Sequence, residues 1–459
     1  MKSRSLLFAL VVLFSGSAYA TGLFLAPRGV RPLARGGAFV AGASDLNALS
    51  YNPAGLALAP EAISVDFGLP LHNSTFTRYV TDASTAFEPV DGTGLTLPSP
   101  TMGAVMRFKE LPDWTFGGGV FADYPGLQNW PDSLESGRAA PQRYAILNYD
   151  GTAIAKLSAA AAWVPFENFS VGFQGVLYSG RFSNTVTLSN CDGVICTQPE
   201  NPDYDSAIQV TSDPLFLPGL ALGLQYTWTW GRVGLAYETG YSVDTATTVR
   251  TRLPSAEIYE DAILVPEIPR GRVAFDLPMA LRAGVEVLPI DDLAVEVAMV
   301  WENWSAHDVI LLDASGASIT EIAALGSYEL GSVELERRLK DTLCLRLGGE
   351  LGPELLGVDS LTTRFGFAFE PSASPDEYLS AMAVDLDKYI VSAGVAYQFT
   401  DFSVEATYAA VMMTSRDVTG SAVQQTSAAR PPWNGRSIIG NGLYEGSAHI
   451  LGIGFHYGL

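Results

Sequence analysis

The chain has 459 residues, of which 48% are hydrophobic and 17% charged, with a formal net charge of −22. So acidic a chain is a poor partner for nucleic acid, whose phosphates call for clustered Lys and Arg. No run of about 18 uninterrupted apolar residues occurs, which excludes a helical membrane protein. Low charge with abundant Gly, Tyr and Phe also departs from soluble secreted enzymes, which carry more Lys, Glu and helix-forming stretches.

The chain opens with an export signal. Lys2 and Arg4 give a basic start, Leu6 to Phe14 is apolar, and Ala18-Tyr19-Ala20 is a small-x-small cleavage site. Residues 1–20 are therefore expected to be removed, leaving a mature chain from near Thr21. No acylatable Cys follows the cut, so a lipoprotein is not expected. Residues 21–60 come next and contain Gly36-Gly37-Ala38-Phe39-Val40-Ala41-Gly42-Ala43-Ser44-Asp45, then Asn52-Pro53-Ala54-Gly55-Leu56. Small residues cannot build a core of their own, and Asn-Pro with Ala-Gly is a turn. The segment is expected to pack inside something else, with Gly36, Gly37 and Gly42 allowing close backbone approach. Asn52, Pro53 and Ala54 either hold it against a wall or simply turn the chain into the first strand.

From residue 61 to 459 the alternation has period two. About fourteen strands are expected, roughly at 61–71, 98–109, 113–124, 143–164, 168–189, 208–229, 231–251, 272–288, 292–312, 333–351, 359–370, 386–399, 402–414 and 446–458. Leu343, Leu345 and Leu347 alternate with Cys344, Arg346 and Gly348, and Phe365, Phe367 and Phe369 alternate with Gly366, Ala368 and Glu370. One face is apolar and ends in aromatics. The other is small or charged, with Glu238, Arg282, Glu286, Glu296, Arg346, Glu350, Arg364, Glu370 and Glu405. An apolar face toward lipid and a polar lumen describe an outer-membrane β-barrel. Short turns at 109–113, 165–168, 230–231, 289–292 and 400–401 oppose long polar connections near 72–97, 125–142, 190–207 and 415–444, the asymmetry of such barrels.

Cys191 and Cys196 lie in one loop of an exported chain, where a small disulfide is expected, and Cys344 is left over. Neither a His nor a second Cys pair accompanies them, so no metal or cofactor is expected. The closing run Leu451, Ile453, Phe455, Tyr457 and Leu459 forms one apolar face, as in a last strand bearing the signal for barrel assembly machinery. Leu459 stands where an aromatic is usual.

The stretch Gly36 to Asp45 with Asn52-Pro53-Ala54-Gly55-Leu56 resembles the amino-terminal hatch of the FadL/TodX family of outer-membrane transporters for hydrophobic compounds. Trp301-Glu302-Asn303-Trp304-Ser305, Leu361 to Pro375, Asp385 to Phe399 and Gly446 to Tyr457 resemble further family stretches, in order. The resemblance implies a fourteen-stranded antiparallel barrel plugged by its own amino-terminal segment and standing in outer-membrane lipid and lipopolysaccharide. It implies passive uptake of long-chain fatty acids or aromatic hydrocarbons, through an outer groove, an inner pocket and a gap in the wall at a third-strand kink. Gly117-Gly118-Gly119 and Pro125 fall at that strand, where glycine marks bends and proline cannot donate to a ladder. The bland alternative is a plain strand of small residues.

Leu127, Trp130 and Leu134 in the following loop are candidates for the outer groove, against simple loop self-packing. Phe216 is a candidate from the next loop, or merely begins the sixth strand. Arg138 and Arg143 are candidates to meet a carboxylate, against a role as surface arginines near lipopolysaccharide. His72, His307, His449 and His456 are scattered with no HExxH, GxSxG or Walker motif, so no enzyme is expected. A monomeric transporter is the leading reading. A porin, a surface receptor or adhesin, and a barrel hydrolase are its rivals.

Overall fold

The computed structural model describes residues 28–80, 85–94, 98–122, 127–191, 196–314, 316–426 and 436–459. The signal segment and Pro125 lie outside them. Fourteen strands form the wall: β1 Ala62–Arg78, β2 Ser99–Arg107, β3 Trp114–Ala122, β4 Ala153–Phe166, β5 Phe169–Arg181, β6 Leu215–Trp228, β7 Gly231–Glu238, β8 Ala280–Ile290, β9 Leu293–Glu302, β10 Thr342–Leu351, β11 Leu361–Glu370, β12 Lys388–Gln398, β13 Phe402–Met413 and β14 Gly442–Gly458. Each pairs antiparallel with the next, and β14 returns to β1 in continuous register from Ala62↔Gly458 to Arg78↔Gly442. Closure removes every open edge, so each wall strand finds ladder partners on both sides.

The alternation sets the two faces. Val297, Leu345, Phe367, Val391 and Ile453 face outward and are exposed, while Glu286, Glu296, Arg346 and Glu370 face inward and are buried. Apolar groups outside and charges inside suit a wall whose outer solvent is hydrocarbon. Aromatics gather at the short-turn end, including Trp114 stacked on Trp163 and Phe399 on Phe402. Two-residue turns there use left-handed Asn168 and Asp292.

At the other end the structure departs from the expected strand list. The runs expected as single long strands divide at the barrel rim, at Phe182, Asp213-Pro214, Thr239-Gly240, Pro278-Met279 and the 303–308 and 337–341 connections. Beyond the rim the same segments form a second, six-stranded antiparallel sheet, in the order 332–336, 309–313, 270–277, 241–252, 205–212 and 183–189. Proline and glycine at the breaks release the ladder. Alternation persists on both sides of each break, so period two alone could not locate it. This sheet is a crown above the wall. A three-stranded sheet of Ile263–Val265, Ser318–Ile322 and Gly326–Glu329 stands beside it.

Candidate functional site: a plugged lumen beneath a crown cavity

Residues 28–60 lie inside the barrel as two short helices and a 3-10 turn, Val30–Ala34, Ala48–Tyr51 and Pro53–Leu58. Two arginines tie the segment to the wall. Arg35 Nη2 donates to Glu286 at 2.8 Å and to Glu296 at 3.1 Å, and its Nη1 donates to Glu350 at 3.2 Å. Arg31 donates to both Glu350 oxygens at 2.7 and 3.1 Å, and to Asp45 at 3.1 Å. Glu296 also accepts the backbone N–H groups of Val40, Ala41 and Gly42 at 2.6 to 2.9 Å. One carboxylate thus caps three consecutive amides that no helix satisfies. Charges so buried are tolerable only when paired and hydrogen-bonded.

The glycines make this contact possible. A Cβ at Gly42 would stand 2.3 Å from Glu286 Oε1. Gly36 has φ of +60°, in the left-handed region, with the Phe367 backbone against it. Asn52 donates to the Val40 and Leu224 carbonyls, and its side-chain oxygen accepts from the Ala54 N–H. Pro53 and Ala54 press on the wall at Gly172 and Gly223. The structure therefore brings Gly36, Gly37, Gly42, Asn52, Pro53 and Ala54 together as one docked unit.

Sequence reasoning missed the other half of this interface. Gly172, Gly223, Gly234, Gly348 and Gly366 are wall residues whose Cβ would sit 2.0 to 2.4 Å from plug atoms. Their signal was present as glycine recurring at inward positions of alternating strands.

Above the plug, the crown encloses a cavity of about 1090 Å³. One face of the crown sheet lines it with Val186, Leu188, Ile208, Val210, Leu312 and Leu335, and loop residues Tyr144, Met382 and Ile439 close the opposite side. Arg337 lines it as well. Leu127, Trp130 and Leu134 pack against the cluster containing Tyr144 and Ile439, so they stand behind the cavity wall. Trp130 is buried and donates to the Ala381 carbonyl at 3.1 Å. Arg143 is also buried and pairs with Asp205 at 2.7 Å. Burial raises the Asp205 carboxyl pKa, against the opposing pull of Arg143. Arg138 is on the surface, paired with Glu88 at 3.0 Å. Phe216 is not brought to the cavity: it lies on the outward face of β6, 65% exposed, because alternation points it away from the lumen. Cys191 and Cys196 are bridged.

Gly117, Gly118 and Gly119 sit in β3, paired without register shift to β2 and β4. A Cβ at Gly117 would touch Leu56 of the plug at 3.0 Å. The described ladder between β2 and β3 runs as far as Thr101↔Phe121, and beyond the rim the short strands Val90–Gly94 and Gln128–Asn129 pair at Gly94↔Gln128.

Residues 11–458 match the family model described as outer membrane protein transport protein (OMPP1/FadL/TodX). The chain belongs to the OMPP1/FadL/TodX family. It is an outer-membrane transport channel of the kind that carries hydrophobic compounds, and the family is not one of enzymes. A solved Pseudomonas aeruginosa FadL homologue superposes with a TM-score of 0.74 at 15% identity, over 95% of this chain and 100% of the other. The P. putida toluene transporter TodX gives 0.60 at 16% identity, covering 95% and 99%. The Ralstonia pickettii toluene transporter TbuX gives 0.59 at 17% identity, also covering 95% and 99%. At these identities the likeness is one of fold. No curated protein sequence matches significantly.

Proposed function

We propose that this barrel passively takes up hydrophobic compounds such as fatty acids or aromatic hydrocarbons. They would be captured in the crown cavity, passed inward by movement of the plug, and released sideways through the wall at β3. The observation that carries this reading is the crown cavity, with its patch of Val186, Ile208, Val210 and Leu312, above a lumen filled by the chain's own segment. A hydrophobic solute gains by leaving water for such a surface and again by re-entering hydrocarbon. Leu127, Trp130 and Leu134 support the cavity from behind, and the Gly36–Ala54 unit is the gate. The glycine run Gly117-Gly118-Gly119 in β3, with Pro125 soon after it in the sequence, supports an exit at this place. The barrel is proposed to act as a monomer, inserted by barrel assembly machinery into lipid bearing lipopolysaccharide.

Two experiments test this. In planar bilayers the protein should be nearly silent while binding palmitate or toluene saturably; large steady ion currents would instead mean a porin. Thr101→Cys with Phe121→Cys staples β2 to β3 at the end of their ladder. Uptake should fall in the oxidised form and return on reduction, and equal uptake in both forms would rule out exit at this place.

A further inference from the structure

On β5 and β6 the outward face of the wall changes chemistry abruptly where it meets the crown. Along β6 the outward residues Phe216, Leu220, Leu222, Leu224 and Tyr226 are apolar and exposed. They cover about 33 Å of strand, or about 25 Å across a bilayer at a tilt of about 40°, which is the height of a whole lipid-facing band. Phe216 therefore marks the upper margin of the hydrocarbon. Asp213 stands about 10 Å further up the same segment, at the depth of lipid headgroups. From that level upward the exposed groups are arginines. Arg270 pairs with Asp213 and donates to Thr248 at 3.0 Å. Arg181 ends β5, and its charge reaches Asp213 as well. Arg250 and Arg252 follow on strand 241–252, alternating with Val249, which lines the cavity, so they stand on the opposite face.

Register brings these groups together. Thr211, Thr248 and Arg270 form one cross-strand row, and Arg250 is the diagonal neighbour of Arg270. Among the described residues Arg181, Arg250 and Arg252 form no ion pair, so Asp213 is the one carboxylate that pairs within this group of four cations. Arg272, which also borders the cavity, is held by Asp244, with Asp313 beside it. The strands that continue β8 and β10 are acidic instead, with Asp276, Glu334 and Glu336 exposed. In a chain of net charge −22, the cations are thus gathered over one sector of the lipid band. We infer that this face holds a phosphorylated glycolipid of the outer leaflet, its acyl chains along β5 and β6 and its phosphates among Arg181, Arg250 and Arg270. Guanidinium forks match phosphate oxygens, and Gln209, Thr211 and Thr248 offer amide and hydroxyl donors to the sugar. Continuity with the apolar band below favours a lipid over a free anion, which would make no use of Phe216.

The inference rests on the chain's place in the outer membrane and not on what the channel carries. Full-length protein in detergent micelles is mixed with bisphosphorylated lipid A, or with the same lipid stripped of its phosphates, in EDTA so that no divalent cation bridges. The lipid retained is counted by native mass spectrometry. Wild type should keep the phosphorylated lipid and lose the stripped one. Arg181→Gln with Arg250→Gln should weaken retention by roughly tenfold, since two exposed charge-assisted contacts go, while Arg138→Gln, on a surface pair elsewhere, should change nothing. Palmitate binding should be the same in the double variant, which keeps this site separate from the transport reading. Comparing the two lipids on wild type needs no variant to fold. If wild type keeps both equally, or the double variant keeps lipid A as wild type does, the site is overturned. If inorganic phosphate at equal concentration displaces the lipid, the face is one for free anions and the lipid assignment falls.

Discussion

Glu296 shows how much can hang on one side chain. It accepts the Val40, Ala41 and Gly42 amides and pairs with Arg35, all buried within the lumen. Glu296→Ala leaves three amides and a guanidinium short of partners, a loss of about 3–5 kcal/mol for breaking a buried charge network. We expect the plug to loosen before the barrel does, seen as ion leak in planar bilayers with unchanged heat stability of the β-structure. In the crown, burial holds His307 neutral with a pKa lowered to about 4, helped by the charge of Arg337. The unfolded ring titrates near 6.5 and binds a proton that the folded ring refuses. Crown stability should therefore be full above about pH 6.5 and fall as pH drops toward 4, by on the order of 3 kcal/mol in all. Proteolysis of the crown at pH 7 and pH 4.5 would show this, with a flatter profile for His307→Gln. The inward charges were legible in the sequence because they recur at alternate positions. Their partners were not, because Arg31 and Glu350 are far apart in the chain and meet only once the barrel closes.

At the level of elements, the wall strands and their turns could be read from period-two alternation and from turn chemistry. The crown could not, since a strand that leaves the wall keeps its alternation and merely exchanges lipid for a cavity. The plug was legible as a segment unable to fold alone, but its docking surface on the wall was not. That surface is made of absent side chains. A Cβ at Gly366 would stand 2.0 Å from the Gly36 nitrogen, and one at Gly172 2.2 Å from the Ala54 nitrogen. Gly366→Val should thus expel or distort the plug while β11 still pairs. Trypsin would then cut after Arg35 in intact outer membranes, whereas the wild-type protein should resist. Equal resistance in both would mean the plug is held by its arginines alone.

For the molecule as a whole, apolar exterior, charged lumen and plug form a single arrangement, since the inward charges are satisfied by nearby wall strands or by the plug. The seam carries a further consequence. β1 follows the plug directly, and its partner β14 is the final strand, with the Leu459 N–H donating to the Glu61 carbonyl at 3.1 Å. The plug touches β5 to β12 and, through Val30–Ala34, also β13, β14 and β1. No partial cylinder offers all of these surfaces at once. The plug, made before the wall, therefore waits for the last strand, and the channel is sealed against leakage only at the moment its wall is complete.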